Sequence, residues 1–248
     1  MYNCPVVTVS ESTFENNHAQ SVFTDLPSRV SGGGLSVTVY GHNNSSVMQG
    51  AFNYTIQNCT FFNNNASSPV PSAGTFSILE GGHVNDHGGG VAFSVVHPSV
   101  VVIKVLGCNF TNNYAPAFGG GLLIFSPETV PEEDFTIAGN HFEGNEAEAG
   151  GAISLSVTFL QKEKTKTLTK NVIYTNNVFL RNKARFGGAM FFGPGEELHI
   201  IIILYNARIC VCVGWGGRGD MGNEKCITVC IHFSMCGCIY VHGCAQDI

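Results

Sequence analysis

The sequence predicts an all-β fold, a right-handed parallel β-helix in which successive coils stack into a solenoid. Three observations support this prediction. One motif recurs five times along residues 14–188, its Phe, Asn and Ala hold fixed offsets in every copy, and glycine and asparagine are abundant while charged residues are scarce. A repeat of this kind buries its apolar face only by stacking on its neighbours.

The first half of the motif is Phe-x-x-Asn-x-Ala. Its phenylalanines are Phe14, Phe61, Phe110, Phe142 and Phe179, and its asparagines are Asn17, Asn64, Asn113, Asn145 and Asn182. Stacked coils would place equivalent rings about 4.8 Å apart inside the cylinder. Asparagine suits a bend, because its short amide tolerates positive φ and can bond to its counterpart in the next coil. These ten residues are predicted to form structural ladders.

The second half of the motif is a glycine pair followed by apolar residues. The pairs are Gly33-Gly34, Gly89-Gly90, Gly120-Gly121, Gly150-Gly151 and Gly187-Gly188, and the first two copies carry insertions before them. Paired glycines permit a sharp turn without Cβ clashes before the next strand.

The spacing between successive phenylalanines is 47, 49, 32 and 37 residues. A coil of three strands of about 5 residues, joined by short bends, needs roughly 20 to 25 residues. Each motif therefore marks either two coils or one coil with a long loop. The competing fold is an antiparallel β-sandwich with glycine-rich turns, but identical side chains at fixed offsets favour the stacked ladder.

Composition excludes several classes of protein. Charged residues make up 12% of the chain, about half of the roughly 25% typical of globular domains, and this disfavours a helical enzyme. A net charge of -6 with 12 Lys and Arg provides no basic face for nucleic acid. The longest apolar run, Leu198–Leu204, is predicted to be a buried strand, and no transmembrane segment is predicted in this chain.

The sequence predicts two regions, a β-helix repeat domain at 1–205 and an irregular Cys-rich carboxy-terminal tail at 206–248. We expect the chain to be a fragment, because its start lacks the features of a secretory signal. Cys59 and Cys108 precede repeat phenylalanines by two residues, so they are predicted to be stacked core residues that can form a disulfide if their coils adjoin.

Seven of the ten cysteines crowd into the tail, at positions Cys210, Cys212, Cys226, Cys230, Cys236, Cys238 and Cys244. Their spacings differ from the usual Cys-x2-Cys zinc knuckle, and their number is odd. Three interpretations remain open: a mispredicted exon or read-through, a disulfide-rich module, or a metal site that includes His232 and His242.

The paired Phe-x-x-Asn and Gly-Gly-Ala-Ile elements resemble the repeats of chlamydial polymorphic outer-membrane proteins, and similar repeats occur in eukaryotic proteins described as right-handed β-helix, pectate-lyase-like. Phe142–Asn145 with Gly150–Ile153 is the copy most like them, and the resemblance covers about residues 10–192. It implies a surface-exposed adhesin or structural fold without known catalysis. The carboxy terminus and the sequons depart from the bacterial pattern.

Six Asn-x-Ser/Thr sequons lie in the first half of the chain, at Asn43, Asn44, Asn53, Asn58, Asn65 and Asn109. Some are expected by chance in a chain rich in asparagine. Their clustering also fits a secreted glycoprotein, so they are the candidate glycosylation sites.

No catalytic residue, metal ligand or cofactor site is predicted. Enzymes on β-helices place two or three carboxylates on one outer face, whereas here Asp25, Asp86, Asp134, Asp220 and Asp247 share no repeated offset. Two weaker groups are predicted to be polar loops: Glu132-Glu133-Asp134, for which calcium binding is the lesser alternative, and His83, Asp86 and His87, for which a metal site is. The tripeptide Arg218-Gly219-Asp220 has an integrin-type sequence but lies inside the Cys-rich tail. The lysines Lys162, Lys164, Lys166 and Lys170 are predicted to lie in a solvated loop or edge strand.

The sequence thus favours a non-enzymatic extracellular or cell-surface β-helix that acts in adhesion or as a scaffold, with an extracellular protein or glycan as its ligand. The competing hypothesis is a carbohydrate-active enzyme or glycan-binding module on the same fold. The repeats include no obvious caps, so both ends of the solenoid are expected to present open strand edges.

Overall fold

A computed structural model describes residues 6–20, 32–40, 51–67, 88–96, 100–126, 132–157, 169–192, 199–204, 208–215, 225–232 and 237–242. Every regular element in these residues is a β-strand. Among them no helix is long and apolar enough to cross a bilayer.

The strands follow one another around five coils and a shorter sixth turn. Coil 1 contains β1 (Val6–Ser10), β2 (Thr13–Glu15), β3 (His18–Gln20) and β4 (Leu35–Tyr40). Coil 2 contains β5 (Ala51–Gln57), β6 (Thr60–Phe62), β7 (Asn65–Ser67) and β8 (Val91–Val96). Coil 3 contains β9 (Val100–Leu106), β10 (Asn109–Thr111) and β11 (Leu122–Ser126).

The later coils repeat the same order. Coil 4 contains β12 (Glu132–Ala138), β13 (His141–Glu143), β14 (Glu146–Ala149) and β15 (Ile153–Val157). Coil 5 contains β16 (Thr169–Thr175), β17 (Val178–Leu180), β18 (Lys183–Phe186) and β19 (Met190–Phe192). The sixth turn contains β20 (His199–Leu204) and β21 (Arg208–Trp215), and β22 (Lys225–His232) and β23 (Gly237–His242) follow it.

Equivalent strands of successive coils pair in parallel and in register. Sheet 1 has the order β1-β5-β9-β12-β16-β20, sheet 2 the order β2-β6-β10-β13-β17, and sheet 3 the order β4-β8-β11-β15-β19-β21. A short sheet pairs β3 with β7 and β14 with β18, and single bridges through Tyr114 join the two pairs. This topology confirms the parallel β-helix and rules out the antiparallel sandwich. Its right-handed sense stays a prediction, supported by the general handedness of parallel crossovers.

Each motif marks one coil. Phe14, Phe61, Phe110, Phe142 and Phe179 are direct partners across sheet 2. The residues of each coil that are not in strands lie in the connecting segments, the longest of which separates β7 from β8. The open choice between one coil and two is therefore decided for one coil with long connections.

The two last strands pair antiparallel to the sixth turn, β22 with β21 and β23 with β20. Among the described residues, β23 and β22 are therefore the outermost strands of sheets 1 and 3 at this end. The division of the chain at residue 205 stays a prediction. The predicted strand at Leu198–Leu204 is present as β20. Leu198 itself and the burial of the β20 side chains lie outside what the structure describes.

The interior of the cylinder is filled by stacked phenylalanines. Successive ring centroids along the column lie 4.9, 4.9, 4.6 and 5.3 Å apart, with interplanar angles of 10° or less. Phe61, Phe110 and Phe142 are completely buried. Aliphatic residues of sheets 1 and 3, such as Ile103 and Leu122, complete this core.

A second apolar cluster lies on the outward side of sheet 3. Ala92, Leu123 and Phe191 alternate with the interior residues of their strands and pack with Phe118 and Ala149. The polar outer surface of the described coils therefore belongs to sheets 1 and 2 and to the short sheet.

The bends that flank sheet 2 are made by residues with positive φ. At the second bend these are Asn16, Asn63, Asn112, Gly144 and Arg181, each directly before a ladder asparagine. The sequence prediction assigned the positive φ to the ladder asparagine itself, and that assignment is wrong by one residue. The reason is that the asparagine has to point inward to reach the next coil, so the residue before it makes the turn.

The glycine motif is a triplet, and the pairs named from the sequence are one residue out of register in the last two copies. Leu35, Val91, Leu122, Ile153 and Met190 are equivalent in sheet 3. Counting back from them aligns Gly150-Gly151-Ala152 with Gly119-Gly120-Gly121. A Cβ at the middle glycine would clash with the backbone of the next coil, since at Gly120 it would lie 2.4 Å from the carbonyl oxygen of Gly151.

Gly151→Ala is expected to lower the free energy of unfolding by about 2 kcal/mol, as overpacking in a tight interior does. A Cβ there would lie 2.4 Å from the carbonyl oxygen of Lys183 and 2.5 Å from that of Gly188, and both are backbone atoms of the next coil. Gly188→Ala is the matched control, since its Cβ would meet nothing closer than 3.4 Å. Urea denaturation would measure both, and equal effects would contradict the proposed crowding between coils.

Candidate functional site

The ladder asparagines of the middle coils, Asn64, Asn113 and Asn145, have no hydrogen-bonding capacity left for a ligand. Each Nδ2 in the middle coils donates to the Oδ1 of the next asparagine and to the phenylalanine carbonyl of the preceding coil. Asn145, for example, donates to Asn182 at 2.9 Å and to Phe110 at 2.8 Å. Its Oδ1 accepts from both the backbone N and the Nδ2 of Asn113. Completely buried, these side chains serve the fold.

A second polar column follows the first bend, two residues before each phenylalanine. Asn140 accepts a bond from the backbone N of Cys108 at 2.8 Å and donates to the carbonyl of Val105 at 2.9 Å. Cys108 occupies the same position one coil earlier, with its Sγ 3.5 Å from the backbone N of Cys59 and 3.7 Å from the carbonyl of Ile56. Cys59 and Cys108 are both buried and free, without the disulfide considered from the sequence. At this position the thiols of Cys59 and Cys108 make weaker hydrogen bonds than the asparagine amide of a later coil does.

Cys108→Asn is expected to raise the free energy of unfolding by about 1 kcal/mol, because the amide makes stronger hydrogen bonds than the thiol. Burial raises the pKa of the Cys108 thiol from 9.0 to about 11. A raised folded-state pKa gives stability that is complete below the unfolded pKa and is lost as pH rises toward the folded one. Wild-type stability should therefore fall between pH 9 and 11.

The matched variants separate these two effects. Cys108→Ala removes the titrating group and supplies no amide, so it should lose the alkaline dependence and gain no stability. Urea midpoints at pH 7 and at pH 10 would measure this. An alkaline decline that is equally steep in Cys108→Asn would contradict the assignment to Cys108.

The sequons differ in their exposure. Asn53 and Asn109 are exposed on the outer faces of β5 and β10, and Asn58 is exposed at the first bend. Strand alternation places each Asn and its Thr outside while the residue between them points inward, and Thr111 Oγ1 donates to Asn109 Oδ1 at 2.9 Å. Asn65 differs, because its Oδ1 is buried and has no hydrogen-bond partner among the described residues. Asn43 and Asn44 lie outside those residues.

Coils 4 and 5 present a group of charged side chains on sheet 2 and the short sheet. Glu143 contacts His141, at 3.1 Å, and Arg181. Glu148 pairs with Arg185 at 3.2 Å, and Glu146 faces Lys183 in register. We call this group the charged patch, and its members are His141, Glu143, Glu146, Glu148, Arg181, Lys183 and Arg185.

The charged patch suits recognition better than proton transfer. The hydrogen bond with His141, followed by the charge of Arg181, holds the pKa of Glu143 below its usual value. A carboxylate held ionised in this way is a poor general acid near neutral pH. The arginines are largely exposed, and exposed ion pairs contribute little to stability, about 0 to 1 kcal/mol each. Their guanidinium groups remain accessible to a partner.

The charged patch was not predicted from the sequence, although a signal for it was present there. With the motifs aligned, Glu146 falls opposite Lys183. The same alignment puts Glu148 over Arg185. Residues of opposite charge at the same offset in neighbouring copies of the motif indicate an ion pair between adjacent coils.

Exposed aromatic and amide groups lie on coils 1 to 3, near the second bend. Phe62 and Tyr114 are 37% and 40% exposed. An outer column of amides lies between the motif positions that Phe62 and Tyr114 occupy in their respective coils. In this column Asn63 Nδ2 lies 2.6 Å from Asn16 Oδ1. Aromatic faces beside amides are suited to hydrogen-bonding ligands with an apolar face, such as sugars.

The other groups considered from the sequence are placed as follows. Glu132, Glu133 and Asp134 belong to β12, so their assignment to a loop is wrong, because the strand pairs on both sides with β9 and β16. Lys170 lies in β16. The group of His83, Asp86 and His87, the remaining lysines and Arg218-Gly219-Asp220 lie outside the described residues. Within the described part of the chain no three His, Cys, Asp or Glu gather into a metal site.

Comparison with protein families, curated proteins and solved structures gives no match to this chain.

Proposed function

We propose that this protein is a non-enzymatic extracellular or cell-surface β-helix that acts in adhesion or as a structural scaffold, and that the charged patch is its contact surface. The observation that carries the proposal is the division of the outer surface. The described sequons lie on coils 2 and 3, while the charged patch lies on coils 4 and 5. Glycans on the former would leave the latter uncovered for a protein partner.

Two further features support the proposal. The motif resembles the repeats of chlamydial polymorphic outer-membrane proteins, which implies surface display. The charged patch carries both signs of charge on rigid strands, and charges of this kind govern the orientation and rate of association more than stability.

Beads coated with the protein and incubated with cultured cells would test the contact surface. We expect salt-sensitive binding that falls about tenfold when Arg181→Glu and Arg185→Glu are combined, since charge reversal at a contact disfavours association. Lys104→Glu is the control, because Lys104 is an exposed cation on sheet 1. Equal binding by all three proteins would count against the charged patch.

Expression in a secretory eukaryotic host would test the glycoprotein prediction. We expect a mass decrease on glycosidase treatment, reduced in Asn109→Gln and unchanged in Asn65→Gln, because Asn109 is exposed whereas the Oδ1 of Asn65 is buried. Material of unmodified mass would refute glycosylation at all six sequons.

The second candidate is a glycan-binding module or carbohydrate-active enzyme on the same fold. The exposed Phe62 and Tyr114 beside the outer amide column favour binding of a sugar. A glycan array and a polysaccharide degradation screen would separate the two, with Tyr114→Ala expected to abolish array binding. Depolymerising activity lost on changing Asp134 would replace our proposal with an enzyme.

A further inference from the structure

Within the charged patch, the acidic and basic side chains are sorted by coil. The carboxylates all lie on coil 4, and the Lys and Arg side chains all lie on coil 5. They are Glu143, Glu146 and Glu148 on coil 4, and Arg181, Lys183 and Arg185 on coil 5. The patch therefore consists of two adjacent rows of opposite charge. With three charges of each sign it is electrically balanced, whereas the whole chain has a net charge of -6.

The short sheet gives part of these two rows a regular geometry. Glu146 pairs with Lys183 in register, and Glu148 lies 3.2 Å from Arg185. Residues two apart on one strand project from the same face, about 6.6 Å from each other, and paired strands lie about 4.8 Å apart. These four side chains thus form a rectangle, with carboxylates along one edge and cations along the other. The guanidinium of Arg185 also lies 5.0 Å from the ring centroid of Phe186, a cation–π contact.

Two rows of opposite charge are complementary to a second copy of themselves in one orientation. A two-fold axis that runs along the strands, midway between β14 and β18, exchanges the rows of the two copies. Glu146 then faces Lys183 of the second copy, and Glu148 faces Arg185 of the second copy. Each contact occurs twice, as in every isologous interface. An axis at right angles to the strands would instead place carboxylates over carboxylates, so the pattern fits an antiparallel pair of β-helices.

The charges of the patch remain accessible for such contacts. The side chains of Arg181 and Arg185 are 80% and 70% exposed, so water screens the ion pairs within the chain. A facing copy excludes that water and strengthens the attraction, because each carboxylate then lies near a cation of both chains. Covering charges that already have partners also costs less than covering isolated ones. Leu180, which is 43% exposed beside Arg181, adds apolar surface at the border of the patch.

We propose that the partner of the charged patch is a second copy of this chain, and that two β-helices associate with coil 4 of each facing coil 5 of the other. The inference rests on the proposed function, since it names the partner of that contact surface. Complementary charges fix orientation more than affinity. A single pair of copies therefore associates weakly, and many copies on two facing surfaces together produce firm homophilic adhesion.

Sedimentation equilibrium of the purified full chain, with a reductant to keep its cysteines from joining chains, would test the proposal. We expect a dimer that dissociates as salt rises from about 0.05 M to about 0.5 M. Arg185→Glu should raise the dissociation constant about tenfold, because it sets like charges opposite each other twice in each dimer. Lys104→Glu is the matched control, since it changes the net charge equally at an exposed position on sheet 1.

An exchange of charges would separate a contact between copies from a general effect of charge. Glu148→Arg combined with Arg185→Glu keeps the net charge of the wild-type chain and restores opposite signs across the axis. We expect this double variant to recover the wild-type dissociation constant. Far-ultraviolet circular dichroism would verify that every variant keeps the β-helix.

Zero-length carbodiimide cross-linking of mixed isotopically labelled and unlabelled chains would locate the contact. Cross-links from Glu146 to Lys183 should join labelled to unlabelled peptides, because these residues face each other across the axis as well as within one chain. Cross-links confined to peptides of one isotope would contradict the proposed arrangement.

A wild-type chain that stays monomeric at every salt concentration would overturn the proposal. A dimer whose affinity changes equally in Arg185→Glu and Lys104→Glu would overturn it as well. If monomeric protein on beads still binds cells through the arginines, the charged patch remains a contact surface and its partner is a different protein. Dimers formed through the patch without any binding to cells would instead refute cell adhesion and support this inference.

Discussion

Phe142→Ala is expected to lower the free energy of unfolding by about 4 kcal/mol, the middle of the range for a buried phenylalanine. Its ring is completely buried and stacks on Phe110 at 4.6 Å and on Phe179 at 5.3 Å. The rigid backbone ladders on either side prevent the coils from closing over the space that the ring leaves. A void would therefore remain in the middle of the column, and the rings of Phe110 and Phe179 would each lose one stacking partner.

Phe62→Ala provides the matched control, because Phe62 lies on the same sheet with its ring on the outer face, 37% exposed. That substitution should cost less than about 1 kcal/mol. Guanidinium unfolding followed by far-ultraviolet circular dichroism would measure both variants. An effect of Phe142→Ala as small as that of Phe62→Ala would contradict the interior register of the phenylalanine column.

Asn145→Ala is expected to cost about 4 kcal/mol as well, although it removes no large apolar group. Four hydrogen bonds end on this side chain: two from Asn113, one to Phe110 and one to Asn182. Truncation leaves the backbone N of Asn113 and the Nδ2 of Asn113 without the oxygen that they share in the interior, and it removes the amide bond to the carbonyl of Phe110. Each such buried group costs about 1 to 3 kcal/mol.

Asn109→Ala is the control for this prediction, since Asn109 is an exposed asparagine one coil earlier whose side chain bonds only to Thr111. We expect it to change the unfolding free energy by less than about 0.5 kcal/mol. Hydrogen exchange of the Asn113 amide would add a local measurement, and it should accelerate in Asn145→Ala alone. Unchanged protection of that amide would show that the ladder bond is not formed in solution.

The structural positions followed from the sequence because stacking repeats the same environment in every coil. Phe at one offset and Asn three residues later are required wherever a coil meets its neighbours, so their identity is visible without coordinates. The alignment of the glycines between copies was harder to predict from the sequence. Ala152 replaces the third glycine of the triplet, and its methyl group is buried in the interior core.

The charged patch was harder to predict, because no interior requirement governs outer positions. Glu143 and Arg181 come from different offsets of the motif and meet only because the bend at Gly144 directs the chain past the next coil. Cys108 presents a similar case. A cysteine two residues before a phenylalanine suggests an apolar contact, whereas the structure places it in a polar column continued by Asn140 and Asn177.

The parallel β-helix and its apolar and amide ladders could be predicted from the sequence, because these depend on a period that every coil shares. The structure was needed to show that one motif makes one coil, that a residue with positive φ precedes each ladder asparagine, and that charged residues of coils 4 and 5 lie opposite one another across the coils. Those features depend on the register between coils. Register is fixed by backbone pairing across 32 to 49 residues of chain, and no local pattern within one copy records it.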